Sequence, residues 1–304
     1  MYDYGNARIA AARSRLLGWD DLRRLLDARS PSAMLALLER LDDWRSIVAE
    51  VTTLAAPPAQ AIGAAIERHR SRRLGALPGW YPSLIRELVE ALVLPLDIER
   101  LIAIERRLRA GEPSDRIGAA VPPGALLDAD AIGQLARAPS LGVLLDRASA
   151  RGLLTRASAR ALTRLAAAGA SSARLEQAIV EAADHARLAR ASGPGEAART
   201  VREVVLAERA ARTAAAAGSR DTGTAMAADE ERDTTLARLD RLVRLGRRDP
   251  LGIGAVIGYV AAVEIGAIRL RAAVASVVAG WPADIVAEYI QVRPNRRSAA
   301  APAD

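Results

Sequence analysis

The sequence predicts an all-α protein, and three observations carry that expectation. Ala, Leu, Arg and Glu dominate a chain of 304 residues that is 51% hydrophobic, and its apolar residues recur at three and four. Runs that alternate β-branched and polar residues are missing, so no strand is expected. Helix punctuation is frequent and regularly spaced. Ser30-Pro31 starts a helix with the hydroxyl as cap and proline at the first position, and Tyr81-Pro82-Ser83 repeats the device. Breaks follow at Pro57-Pro58, Pro78-Gly79, Pro122-Pro123-Gly124 and Gly193-Pro194-Gly195. The segment 214–235 is small, polar and poor in large apolar residues, which predicts a mobile connection. The tail 292–304 has no core residues and is expected to fray.

Composition narrows the function classes. There is no Cys, which excludes disulfide frameworks and thiolate metal sites, and no Phe, so the core is built from Leu, Ile, Val and Ala. Every basic side chain is Arg, and the formal net charge is +7. That excess suits a phosphate backbone, an anionic membrane surface or an acidic partner. The start, "MYDYGNARIAAARSRLL", carries Arg8, Arg13 and Arg15 where a signal peptide needs an apolar core, so a cytosolic protein is expected.

The stretch "PLGIGAVIGYVAAVEIGAIRLRAAV" (Pro250 to Val274) invites three readings. A membrane span needs about 20 apolar residues, and this run meets Glu264 and then Arg269. A central Arg costs about 2.5–3.5 kcal/mol, whereas a good apolar residue returns about 0.3–0.6. Gly252, Gly254 and Gly258 lack dinucleotide-loop spacing, no strand precedes them, and without Lys there is no phosphate-loop lysine. The remaining reading is a core helix. Asp249 caps it, Pro250 takes the first position, and Gly280 ends it. Val256, Val260, Val263, Ala267, Leu270, Val274 and Val277 form its apolar stripe, and the glycines let a neighbouring helix approach.

A faint internal echo links "LDIERLIAIERRLRAG" (Leu96 to Gly111) with "VEIGAIRLRAAVASVVAG" (Val263 to Gly280), and "REVVLAERAARTAA" from Arg202 is a weaker copy. The C-terminal segment resembles the signature of the C-type subunit family of V-type ATPases in bacteria and archaea, whose eukaryotic members are called d-type. Pro250, Tyr259, Glu264, Arg269 and Gly280 fit that pattern. The opening "YGNARIAAARSRLL" is similar to the family's start through Tyr4, Asn6, Ala7, Arg8 and Leu16-Leu17, and "PLDIERLIAIERRLRAGEP" looks like its middle element. The family's Asn is replaced by Arg100 and by Ala267, and the Lys before its Glu is absent.

The resemblance implies a funnel-shaped helical protein with three pseudo-symmetric bundles. They correspond to residues 1–110, 111–212 and 213–291. It also implies a non-catalytic central-stalk socket on the cytoplasmic face of the membrane, with no cofactor. Its partners would be the shaft subunits and the membrane proteolipid rotor ring, with Arg8, Glu264, Arg269 and Arg271 as interface-bearing residues. No nucleic acid is expected.

The residues themselves offer little chemistry. His69 and His185 sit in charged stretches expected to be solvated helix faces, and no spacing joins them into a metal site. Glu105, Glu203 and Glu264 are each followed by Arg within six residues, which reads as pairing along one helix. Arg68, Arg70, Arg72 and Arg73 form the densest basic run, read as a solvated face. That run is the basis of an alternative: a basic all-helical nucleic-acid-binding or adaptor protein.

Overall fold

A computed structural model of the chain describes residues 2–53, 56–218 and 225–290. Among them are fifteen α-helices, one 3-10 turn at Pro78–Trp80 and no strand. In chain order they are α1 (Asp3–Arg13), α2 (Trp19–Leu26), α3 (Pro31–Glu39), α4 (Asp42–Thr52), α5 (Pro58–Gly75), α6 (Ser83–Arg109), α7 (Ser114–Ala120) and α8 (Ala129–Ala136). Then follow α9 (Leu141–Ala150), α10 (Arg156–Ala167), α11 (Ser172–Arg190), α12 (Glu196–Gly218), α13 (Ala225–Arg248), α14 (Ile253–Ala279) and α15 (Ala283–Ile290). Within the segment 214–235, α12 runs to Gly218 and α13 starts at Ala225; positions 219–224 and the tail 292–304 lie outside the described residues.

Local signals place the helix ends. Ser30, Asp128, Ser140, Thr155 and Ser171 each accept a backbone N–H with the side chain at a helix start. The expected helix from Pro250 begins three residues later, because Asp249 Oδ2 accepts from Gly254 N at 2.8 Å and holds residues 250–252 outside the first turn. Gly280, at φ 69°, closes α14 in the left-handed conformation that glycine adopts without a Cβ penalty.

Helix α6 runs unbroken through Pro95. Proline has no N–H, so the Ala91 carbonyl one turn back loses its helical donor. Arg187 Nε donates to that carbonyl at 2.8 Å. The guanidinium is itself held by Asp184 at 3.3 Å and Glu208 at 2.8 Å, so the buried gap is filled by a charged group that is fully paired.

Among the described residues, three main apolar cores and one small one form. One is made by α6 to α11, with Leu101, Leu135, Leu144 and Ile179 at its centre. A second joins α1 (Ile9), α6 (Val89), α12 (Val201, Val205) and the start of α14 (Val256, Tyr259). The third joins α2 to α5 with the end of α14 and α15, through Met34, Ile47, Ile62, Leu270 and Ile290. The small one sets Leu236 and Leu239 of α13 against Ala261 and Ile265.

Helix α14 is therefore the common member of three cores. Every residue from Ile253 to Tyr259 is buried, so the expected single stripe widens to the whole circumference at that end. The helix is long and apolar enough to cross a membrane, yet 67% of its most apolar window is buried inside the protein. The glycines act as expected. A Cβ on Gly246 of α13 would stand 2.8 Å from both the Gly254 oxygen and the Gly258 Cα, so α13 and α14 cross backbone to backbone.

Candidate functional site

The Arg68–Arg73 run does not form a solvated face. In the last turns of α5, Arg70 points inward and its side chain is only 3% exposed. It donates to Glu264 of α14 at 2.8 and 2.9 Å, to Glu99 of α6 at 3.0 and 3.2 Å, and to Glu67 on its own helix at 3.1 Å. Glu67 is bridged further to Arg100 and Arg271. Three guanidiniums and three carboxylates thus lock α5, α6 and α14 together without net charge. The fork geometry of Arg suits this, since one planar group grips two acids bidentately. Neighbouring charges in the run are also spent internally: Arg68 and Arg72 pair with Glu50, and Arg73 with Asp43.

The electrostatics match a fixed clamp rather than a proton-transfer site. Burial alone would raise the Glu67 pKa, but Arg70, Arg100 and Arg271 outweigh it and hold it at about 2. Burial dominates at Glu264 and raises its pKa despite the Arg70 contact. The three carboxylates raise the Arg70 pKa against its own burial, so the guanidinium stays charged.

The four residues expected to bear interfaces divide sharply. Glu264 and Arg271 belong to the clamp, so Glu264 is paired with α5, not with an Arg on its own helix. Arg269 is half-buried and donates through Nε to the Ile290 carbonyl at 3.2 Å, tying α14 to α15. Arg8 is an exposed cation outside the clamp: it lies 5.4 Å from the Tyr4 ring centroid and 5.0 Å from that of Trp80.

Two anchoring roles were missed by sequence reasoning, which named Asn6 only as part of a motif and did not name Asp97. Asn6 donates through Nδ2 to the carbonyls of Pro250 and Gly252 at 3.2 and 3.1 Å and accepts from the Tyr81 hydroxyl at 2.7 Å. It joins the first helix to the loop before α14. Asp97, fully buried, accepts from the Leu126 and Leu127 amides at 3.0 and 2.9 Å, and fixes the Pro122-Pro123-Gly124 loop. Burial pushes its pKa up to about 6, even though those amides and Arg100 pull it down. A Cβ on Gly124 would collide with the Asp97 carboxylate, so glycine is required at that close approach. Position in the motifs was the available signal: Asn6 and Asp97 both sit in the segments that carry the resemblance.

His69 departs from expectation. It is 7% exposed, stacks on Trp44 with ring centroids 4.2 Å apart, and sets Nε2 3.1 Å from Asp43 Oδ2. Burial, with the Arg72 charge, lowers its pKa to about 4, so it packs as a neutral ring at neutral pH. His185 is exposed on α11. No cluster of three or more His, Asp or Glu able to hold a metal ion occurs among the described residues.

Exposed apolar residues gather at the two ends of α14. Tyr4 (68% exposed) lies on α1 with Asn6 and Arg8, Leu251 (74%) on the loop that Asn6 grips, and Leu84 is exposed in the first turn of α6. Val278, Trp281 (61%) and Ile285 crowd its other end. At 1.5 Å per residue the 27 residues of α14 separate these ends by about 40 Å.

Among known families, the model of the ATP synthase (C/AC39) subunit family matches residues 5–152. The match runs from α1 to just past α9, so it includes Asn6, Arg70, Asp97 and Glu99 and stops short of α14. No curated protein matches the sequence.

Proposed function

Because the model of the ATP synthase (C/AC39) subunit family matches residues 5–152, we propose that the chain belongs to this family and is the non-catalytic central-stalk socket of a rotary V-type ATPase. In this role it links the shaft subunits to the membrane proteolipid ring, while ATP turnover and proton or sodium transport occur in its partners. The body is the funnel of three helical bundles that the resemblance implies, seated peripherally on the cytoplasmic face of the membrane.

The family match carries the proposal, and two features of the fold support it. A torque-transmitting part needs a stiff body, and α14 is gripped by three cores and clamped by Arg70. It also needs two separate docking surfaces, and the apolar ends around Leu251 and Trp281 are suited to that. The alternative, a nucleic-acid-binding module, loses its main support because the Arg68–Arg73 charges are consumed by Glu50, Asp43, Glu67, Glu99 and Glu264.

The test is purification of the tagged chain from gently solubilised membranes, with the accompanying subunits identified by mass spectrometry. Shaft and ring subunits in stoichiometric amounts are expected. Leu251→Asp and Trp281→Asp should each release one partner and keep the other. Absence of either partner from the wild-type complex refutes the socket.

A further inference from the structure

A pocket of about 330 Å³ opens between α2, α4, α5, α13 and α14, at the lower end of the range that holds small ligands. Its walls are largely apolar and aromatic, with Trp19, Leu22, Trp44, Ile66 and Val263 beside the neutral ring of His69. Gly266 faces it, and a Cβ there would meet nothing within 4 Å, so the space continues to the helix backbone. The Trp44 side chain is 3% exposed, and its indole N–H is buried without a hydrogen-bond partner.

The rim has the opposite character. Arg247 of α13 and Arg269 of α14 line it, and neither has a carboxylate within ion-pair distance among the described residues. Asp240, the acid on the rim, is engaged by Arg244 at 3.0 Å one turn along α13. Arg13 stands near Arg247, with a buried Nη2 that also lacks a hydrogen-bond partner. Elsewhere this protein pairs its buried guanidiniums with acids, as at Arg70 and Arg187. Here Arg247 and Arg269 line an apolar hole without an ion pair among the described residues, and Asp240, whose charge acts on Arg269, is already paired with Arg244.

From this juxtaposition we infer that the pocket binds an anionic amphiphile: a single apolar chain in the Trp44–Gly266 hole, and a carboxylate or phosphate head on Arg247 and Arg269. Burial of the chain supplies affinity in proportion to area, and charge-assisted hydrogen bonds fix the head. A free fatty acid and a lysophospholipid share this chemistry. The site is separate from the apolar ends proposed for the rotary partners, and its occupancy does not depend on that role.

The test titrates dodecanoate, dodecyl phosphate and dodecanol into the full-length protein below their self-association limits. Binding is followed by calorimetry and by tryptophan emission, since two of the four Trp line the pocket. Saturable one-to-one binding of both anions is expected, at least tenfold tighter than dodecanol. Gly266→Leu, which fills the hole, and Arg247→Glu, an exposed charge reversal, should each weaken anion binding tenfold or more with the melting curve retained. Tighter binding of the phosphate identifies a phospholipid source, and tighter binding of the carboxylate a free fatty acid. The inference is overturned if neither anion saturates, if dodecanol binds as tightly, or if both variants bind like the parent.

Discussion

Replacing Arg70 by Met keeps the length and apolar stem of the side chain and removes only its charge. Each of the three acids then responds according to its burial. Glu99 is 52% exposed and returns to water, so its loss is that of a surface pair, about 0–1 kcal/mol. Glu67 keeps Arg100 and Arg271. Glu264, 22% exposed and ion-paired only with Arg70 among the described residues, is left partly buried and unpaired. Breaking one side of a buried pair costs about 3–5 kcal/mol, and nearly all of it falls on Glu264. The double variant Arg70→Met/Glu264→Leu removes the orphaned charge and should regain most of that loss. Urea denaturation followed by circular dichroism measures both, read as midpoints at constant slope. A single-variant loss under about 1 kcal/mol, or a double variant no better than the single, would refute the clamp.

The backbone crossing and the loop anchor give two further expectations. Gly246→Val has no room between α13 and α14 and should cost about 1–3 kcal/mol or more in thermal denaturation. Gly63→Ala on α5, where a Cβ meets nothing within 4 Å, should instead gain up to about 1 kcal/mol. Asp97, with its folded pKa raised to about 6 from 3.8, binds a proton more readily folded than unfolded. Its contribution to stability is complete below about 3.8 and is lost as pH rises through about 6. The difference between the stability profiles of wild type and Asp97→Asn should therefore change across that window, and a constant difference contradicts the assignment.

Much of the fold was legible because its signals are local. Ser30 beside Pro31, or Gly280 after an apolar run, fixes a helix end within a few residues. Asp249 shows the limit: its capping role was readable, but the three-residue delay before α14 depends on where its carboxylate reaches. The ion pairs were illegible for a physical reason. Glu264 has Arg269 and Arg271 close by in sequence, so pairing along one helix looks sufficient. Its true partner lies 194 positions away on α5. Likewise Arg68, Arg70, Arg72 and Arg73 look equivalent as a run, yet successive helix positions turn about 100°. One of the four ends up inside the protein, and only the packing of α6 and α14 decides which. His69 was misread for the same reason, since the stacking Trp44 belongs to another helix.

The sharing of α14 among cores also bears on how the chain comes into being during synthesis. Ile9 and Val89 share a core with Val256 and Tyr259, and Met34 and Ile62 with Leu270 and Ile290. Those early helices leave the ribosome long before their covering strut is made, with apolar faces open to the solvent. Only the α6 to α11 core, closed among residues 94–186, can be completed from chain already emerged. The last helices to be translated act as the keystone, and until they arrive the first quarter of the chain depends on whatever shelters nascent apolar surface.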